Sequence, residues 1–347
     1  MAKSRLIVED IEEEKESKQK ATKVTKVPNN YIPISLPSNG KLSAPKVLHF
    51  RDYTMSDALE LNTLDEDERF LALISVLNNM CYEKFDCGEL HINELMVILY
   101  TIHATFISNR IEKEYYINDM LPFGNNEGEL NYPDNIESVE LLINKLKVKS
   151  IDEDLNGKEL TTPFKEPFTI VDSITKSKIK FRLSRVSDLL LAQQECDKLF
   201  EKETLKYKYI KKQLEALKKI KDPNERKQQL DKLIDTNDDY VEYHKYLQKY
   251  NESYAMIVQC QQLVSVDNNI LETLEDKLNA YKNFVPKDVW VEYNSVVDIY
   301  NFGLIEEQEF YSDKLQQNIT RRFLFQLSDF LPTINATNSG RFSVSFS

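Results

Sequence analysis

Apolar positions fall into distinct regimes along this chain. Between Phe70 and Phe106 they recur at helical spacing. Phe70, Leu73, Ile74 and Leu77 mark one helix, entered through an acidic first turn that complements the helix dipole (Asp65, Glu66, Asp67, Glu68). Leu90, Ile92, Leu95, Met96, Ile98, Leu99, Ile102 and Phe106 mark the next, apolar around most of its circumference, as only a central core helix is. Upstream, Lys46–Arg51 reads as a strand, and Thr54 or Ser56 as the N-cap of a short helix through Leu64. Further on the period drops to two. Leu146–Ile151, Pro167–Val171 and Ile179–Leu183 predict short strands of a small antiparallel sheet, with turns at Asn156–Gly157 and Ser173–Lys178.

From Ser184 to Phe284 the only proline is Pro223 and there is no glycine, while Leu, Lys, Glu, Gln and Tyr dominate. Seam positions can be followed through Leu205, Ile210, Leu214 and Leu217, then from Leu230 through Val241, His244, Leu247, Tyr254 and Ile257, then Ile270, Leu274, Leu278 and Tyr281. The spacing predicts a long helical hairpin or three-helix stalk, broken near Asp222–Pro223 and Val266–Asp267. A helix of roughly 37 residues there would project on the order of 55 Å. The last part predicts a helical run from Ile305 to Phe330. Its polar end, Arg341–Ser347, alternates like a strand and is open to reading as a flexible terminus or as an addition to a sheet edge.

The expected fold is mainly α with a small antiparallel β portion (α+β), in five parts. Residues 1–30 are a disordered charged tail, 31–120 an extended arm plus helical head, and 121–183 a loop and small β-rich subdomain; 184–284 are the helical stalk and 285–347 a C-terminal helical segment and tail. The tail reading rests on Glu9, Asp10, Glu12, Glu13, Glu14 and Glu16 interleaved with lysines and without aromatics, a composition that solvates rather than packs and that can fold on a partner. The loop reading rests on two glycines and two prolines between Leu121 and Pro133.

Composition then narrows the function. Seven glycines and 29% charged residues suit a helix-rich protein. A formal charge of −12 argues against a general nucleic-acid binder, whose affinity comes from lysine and arginine on phosphates. No run of eighteen apolar residues predicts a membrane span, and no secretory leader is evident. Cys81, Cys87, Cys196 and Cys260 show no CxxC pairing and read as free thiols in a reducing cytoplasm. Cys81, Cys87, His91 and His103 are spaced six, four and twelve apart, which fits no compact zinc signature. There is no phosphate loop, GxGxxG, GxSxG or HExxH. No catalytic, cofactor or metal residue is therefore assigned, and the chain is expected not to be an enzyme.

Two sets of residues stand out as partner-binding. The arm Tyr31, Ile32, Pro33, Leu36, Pro37, Ser38, Asn39 and Gly40 is rigid, because its prolines fix φ and Asn39–Gly40 supplies the positive φ of a tight turn; it is suited to lie against a partner or the domain behind it. Tyr243, Tyr246, Tyr250 and Tyr254 repeat at three- and four-residue spacing, open to reading as an intramolecular seam, a partner interface or a stacking platform for single-stranded nucleic acid.

The arm motif Leu36-Pro37-Ser38-Asn39-Gly40, followed by Val47–Asp57 and then the apolar run Leu90–Phe106, resembles the baseplate hub assembly family of T-even-like contractile-tailed phages. The similarity covers about residues 31–110. It departs around Ile102–His103, where that pattern carries an arginine, and the predicted stalk has no counterpart in it. The resemblance implies a non-enzymatic structural or assembly component of a contractile tail, at the baseplate or hub. It would act through contacts with other tail proteins, with self-association also open, in the virion and in the host cytoplasm during assembly. The alternative is a transient tail-assembly chaperone or coiled-coil adaptor absent from the mature particle.

Overall fold

The computed structural model describes residues 27–116, 136–336 except 65, 155, 219, 221–222, 237–238 and 333, and the short strand 342–344. The predicted charged tail up to residue 26, the Leu121–Pro133 loop and most of the alternating Arg341–Ser347 end lie outside the described residues.

The arm forms β1 (Tyr31–Ser35), which pairs antiparallel with β2 (Val47–Arg51), Tyr31 opposite Arg51 and Ser35 opposite Val47. Between them Asn39 and Gly40 take φ of 54° and 74°, which a non-glycine at position 40 would reach only with strain. Thr54 caps α1 (Met55–Thr63) in a capping box with Asp57. Then come α2 (Glu66–Met80) and α3 (Ile92–Ile102), the latter ending in a π turn at His103–Ile107. Ile34, Leu36, Leu48 and Phe50 from the arm and β2 bury against Leu73, Leu77 and Met80 of α2 and Leu95, Ile98, Leu99 and Ile102 of α3. Two strands not expected from the sequence, β3 (Arg110–Tyr116) and β4 (Ile136–Leu142), pair antiparallel and add Ile111 and Leu141 to that core.

After β5 (Val148–Lys149) come β6 (Phe168–Val171) and β7 (Lys178–Phe181), and then α4 (Val186–Leu199), α5 (Glu201–Lys218), α6 (Pro223–Thr236) and α7 (Tyr240–Gln261). The chain next runs through β8 (Leu263–Val266), β9 (Asn269–Ile270), α8 (Leu274–Asn283) and α9 (Lys287–Ile299). It closes with β10 (Gly303–Leu304), β11 (Glu307–Ser312), β12 (Gln317–Arg322), β13 (Ile334–Ala336) and β14 (Phe342–Val344).

The mainly α expectation with a long hairpin or three-helix stalk is corrected. About 50% of the chain is helical and 20% strand, distributed over small antiparallel sheets in a mixed α/β fold. Within 184–284 the seam is interrupted by β8 and β9, which complete a four-stranded sheet in the order β6-β7-β8-β9. Leu263 and Ser265 point into the protein while Asp267 and Asn268 turn the chain at φ of 47° and 72°. Leu263 lies among Ile170, Ile179 and Phe181, and α8 and α9 cover them with Ala280, Val289, Trp290 and Tyr293. The 37-residue helix does not form either, because α6 and α7 are separate helices of 14 and 22 residues.

The predicted helical run from Ile305 to Phe330 is also corrected. It holds the β11–β12 hairpin, in register from Glu307–Arg322 to Ser312–Gln317 and turned where Gln316 takes φ of 52°. Gln308 and Ser312 are buried while Glu307, Glu309 and Tyr311 are exposed, an alternation of mostly polar residues that gives no period-two apolar signal. Ile319, Phe323 and Phe330 return to the core that holds Leu36 and Leu99, so the last part of the chain closes on the first.

Candidate functional site

The arm meets its own chain. Leu36, Pro37 and Ser38 are buried, Tyr31 and Ile32 half-buried, and Pro33, Asn39 and Gly40 exposed. The Tyr31 ring stands edge-on to Tyr82 at 5.4 Å. The Pro37 carbonyl accepts the Ile151 N–H at 2.9 Å, and Asn39 Nδ2 donates to Ser150 Oγ at 2.8 Å and Asp152 Oδ2 at 3.0 Å.

Ser38 leads into a buried polar network. Its hydroxyl donates to Glu94 Oε1, while Glu94 Oε2 accepts the His91 N–H at 2.9 Å and closes the capping box of α3. Glu94 is fully buried, and burial raises its pKa against the lowering effect of the Ser38 hydrogen bond. His91 Nδ1 accepts the Asn93 N–H at 3.1 Å, and burial, aided by the nearby Arg185 charge, pushes the imidazole down to about 3, which keeps it neutral. Arg185 donates through Nε to Ser43 Oγ at 3.1 Å, through one terminal nitrogen to the Leu183 carbonyl at 3.2 Å and through the other to Glu166. Arg182 grips Asp188 through two bonds of 2.7 Å, and Asp188 also accepts the Arg185 N–H at 2.7 Å. Arg185 with Glu166 and Arg182 with Asp188 are thus neutralised in pairs, the condition under which burial of charge is tolerated, while Glu94 is held by neutral donors.

The tyrosines lie where α5 and α7 meet beyond the end of α4. Tyr243 is buried and Tyr246, Tyr250 and Tyr254 are half-buried. Tyr207 of α5 approaches Tyr243 at 5.8 Å and Tyr246 at 5.4 Å, and Phe200 approaches Tyr250 at 5.8 Å, with tilted or edge-on rings throughout. Tyr246 shares a 2.9 Å hydrogen bond with Thr204, and the Tyr250 hydroxyl donates to Asp197 at 2.8 Å; burial raises the Tyr250 pKa. Tyr254 sits lower, against Ala192, Cys196 and Ile257. A groove of about 240 Å³ opens between these helices, with Tyr207, Tyr243, Tyr246 and Tyr250 along it and Lys208 and Lys211 at its α5 wall. The rings engage each other, which suits a groove for side chains better than a flat platform for bases.

A larger cleft of about 620 Å³ lies between the end of α3, the β3–β4 hairpin and the turn Leu327–Phe330. Its charged groups are engaged: Arg110 with Glu140 at 2.6 Å and Lys113 with Asp329 at 2.5 Å. His103 is buried beside it, and burial lowers its pKa. All four cysteines are unpaired and buried. Burial pushes the Cys196 thiol up to about 11 and Cys260 up to about 12, away from reactivity. Among the described residues no group of three or more His, Cys, Asp or Glu is arranged to hold a metal, and no helix is long and apolar enough to cross a membrane.

The sequence singled out Ser38 and the tyrosines but neither Glu94, Arg185 nor Glu166. His91 followed three residues later by Glu94 at the head of the most apolar helix is a capping-box pattern, and that signal was available. Nothing local marks Arg185 as buried, since its partners Ser43 and Glu166 lie 142 and 19 positions away. Comparisons with protein-family models, characterised proteins and solved structures return no match to this chain.

Proposed function

We propose that this protein is a non-enzymatic structural or assembly component of a contractile phage tail, at the baseplate or hub, acting through protein–protein contacts. The observation that carries the reading is the placement of large apolar side chains in solvent on separate elements, while the cluster of Arg182, Arg185, Glu166 and Asp188 is engaged within itself. Leu205 and Tyr209, one turn apart on α5, are each 66% exposed. Phe284, Val291 and Ile299 stand exposed at the end of α8 and along α9, and Val171, Ile174 and Ile270 on the β6–β9 sheet. Several separate apolar sites on one chain suit a connector that meets more than one neighbour. The resemblance of residues 31–110 to baseplate hub assembly proteins supplies the setting.

The test is mass spectrometry of purified particles together with Val291→Asp/Ile299→Asp and Leu205→Asp/Tyr209→Asp chains, whose changes lie on the surface. The chain should be present in finished particles, and at least one pair should reduce particle yield tenfold or more while leaving the melting temperature of the purified protein unchanged. Absence from particles with an unchanged requirement for assembly would replace this reading with the transient chaperone. Full yield from both variants would remove the contact argument.

A further inference from the structure

The head core opens in one place beside a cation that has no counter-ion. A pocket of about 260 Å³ lies between α2 and the stretch Gln326–Leu331. Phe70, Leu73, Leu327 and Leu331 line it with carbon, Leu73 buried and the other three half-buried against the core. Gln326 and Ser328, both exposed, add uncharged polar groups. Arg69 is the one charged residue among the described residues that line it. One terminal nitrogen of its guanidinium donates to the Leu64 carbonyl at 3.1 Å, while Nε is buried without an acceptor, and the group forms no ion pair among the described residues. Other arginines of the head are matched: Arg51 meets Asp57 at 2.7 Å, and Arg185 meets Glu166. A half-buried guanidinium with unspent donors beside an apolar cavity calls for a carboxylate.

We propose that this pocket binds a free aliphatic monocarboxylate. Its carboxylate meets Arg69, and its chain lies along Phe70, Leu73, Leu327 and Leu331. The volume is just below that of sites for drug-sized ligands, so the guest is small. The walls are a helix and a tight turn, whose backbone groups are spent largely on internal bonds. The last residue of a peptide would bring amide groups that need partners there, whereas a free acid brings none. An amine would set its charge against Arg69, and an alcohol would leave the guanidinium without a counter-ion. This inference goes beyond the tail-component reading and does not depend on it.

Isothermal titration of the full chain at neutral pH tests this with octanoate, octanol and octylamine, which share one alkyl chain and differ in charge. Octanoate should bind at one site per chain, tenfold or more tighter than either of the others. Arg69→Gln, which keeps an uncharged donor, should weaken octanoate tenfold or more and leave octanol unchanged, a split that a general loosening of α2 would not produce. Val291→Asp/Ile299→Asp should bind octanoate as the unaltered chain does. Equal affinity for octanoate and octanol, or undiminished octanoate binding in Arg69→Gln, would overturn the proposal. So would the absence of saturable binding, or its loss in Val291→Asp/Ile299→Asp, which would place the acid on the exposed face of α9. Tighter binding of N-acetyl-leucine than of octanoate would overturn the free acid and assign the pocket to the C-terminal residue of a partner. The octanol comparison uses the unaltered chain, so it decides the matter even where Arg69→Gln fails to fold. Particles play no part in these measurements, so a negative result would sink this inference and not the function.

Discussion

The head around α3 and the α5–α7 helices solve the same problem with different materials. In the head, aliphatic residues from β1, β2, α2, α3 and the C-terminal strands share one core, and charges enter as compensated groups: Arg185 with Glu166, Arg182 with Asp188, Arg51 with Asp57, and Glu94 bonded to Ser38 and the His91 N–H. In the helices, a small cluster of Tyr207, Ile210 and Tyr243 is buried, half-buried tyrosines surround it, and ion pairs such as Lys206–Asp239 are half exposed. The head is therefore held by contacts that span nearly the whole chain, and the helices by pairs 33 to 53 positions apart. Damage to the head should propagate, and damage to the helices should stay local.

The strongest way to break that contrast is Arg185→Ala. It strands the buried Glu166 carboxylate and frees Ser43, so the loss should be about 3–5 kcal/mol in urea unfolding. A loss under about 1 kcal/mol would mean the network is not closed in solution. Leu36→Ala comes next, at about 3 kcal/mol by thermal or urea denaturation, because its side chain is fully enclosed between the arm and the head core. An effect below about 1 kcal/mol would show the arm detached from the head.

How far the fold could be read from sequence follows the same divide. Wherever the period was strong and the partners local, the reading held: β2, the Thr54 cap, α2, the core of α3, and the β6–β7 pair with its turn. It failed where tertiary contact outweighs local preference. Leu263–Val266 continues an apolar seam from α7, yet pairing with β7 draws it into a sheet. Glu307–Arg322 is rich in Gln, Glu and Arg, good helix formers, and is held as a hairpin because Ile319 and Phe323 reach the distant head core. Of the candidate site, the tyrosine spacing was legible because it is helical. The Arg185 network was not, because no sequence rule reports a charge whose partners come from distant segments.

A smaller effect separates the two regions by pH. His91 is held down to about 3 in the folded head, while the unfolded chain takes its proton near 6.5. A group whose folded pKa is depressed contributes stability that is present above its unfolded pKa and is lost as pH falls below it. From pH 6.5 downward the loss runs at about 1.4 kcal/mol per unit toward a floor near pH 3. Glu94 acts in the opposite sense, since its raised pKa means that protonation relieves a cost to the fold. His91→Asn keeps a capping acceptor and removes the titration. Between pH 6.5 and 5, wild type should lose about 2 kcal/mol more than His91→Asn, measured by urea midpoints at each pH. Equal slopes would mean His91 takes up its proton in the folded protein.

The finest test is Tyr246→Phe in the helices. The ring stays against Tyr207 and Phe200, and only the hydroxyl bonded to Thr204 is removed. Because the site is half-buried and Thr204 can turn to water, the cost should be about 0.5–1.5 kcal/mol, with no change in the hydrogen-exchange protection of α3. A loss above about 2 kcal/mol that also lowers protection in α3 would show the tyrosine seam and the head unfolding as one unit. The distinction between a core built across the whole chain and a pair of helices held by their own contacts would then fail.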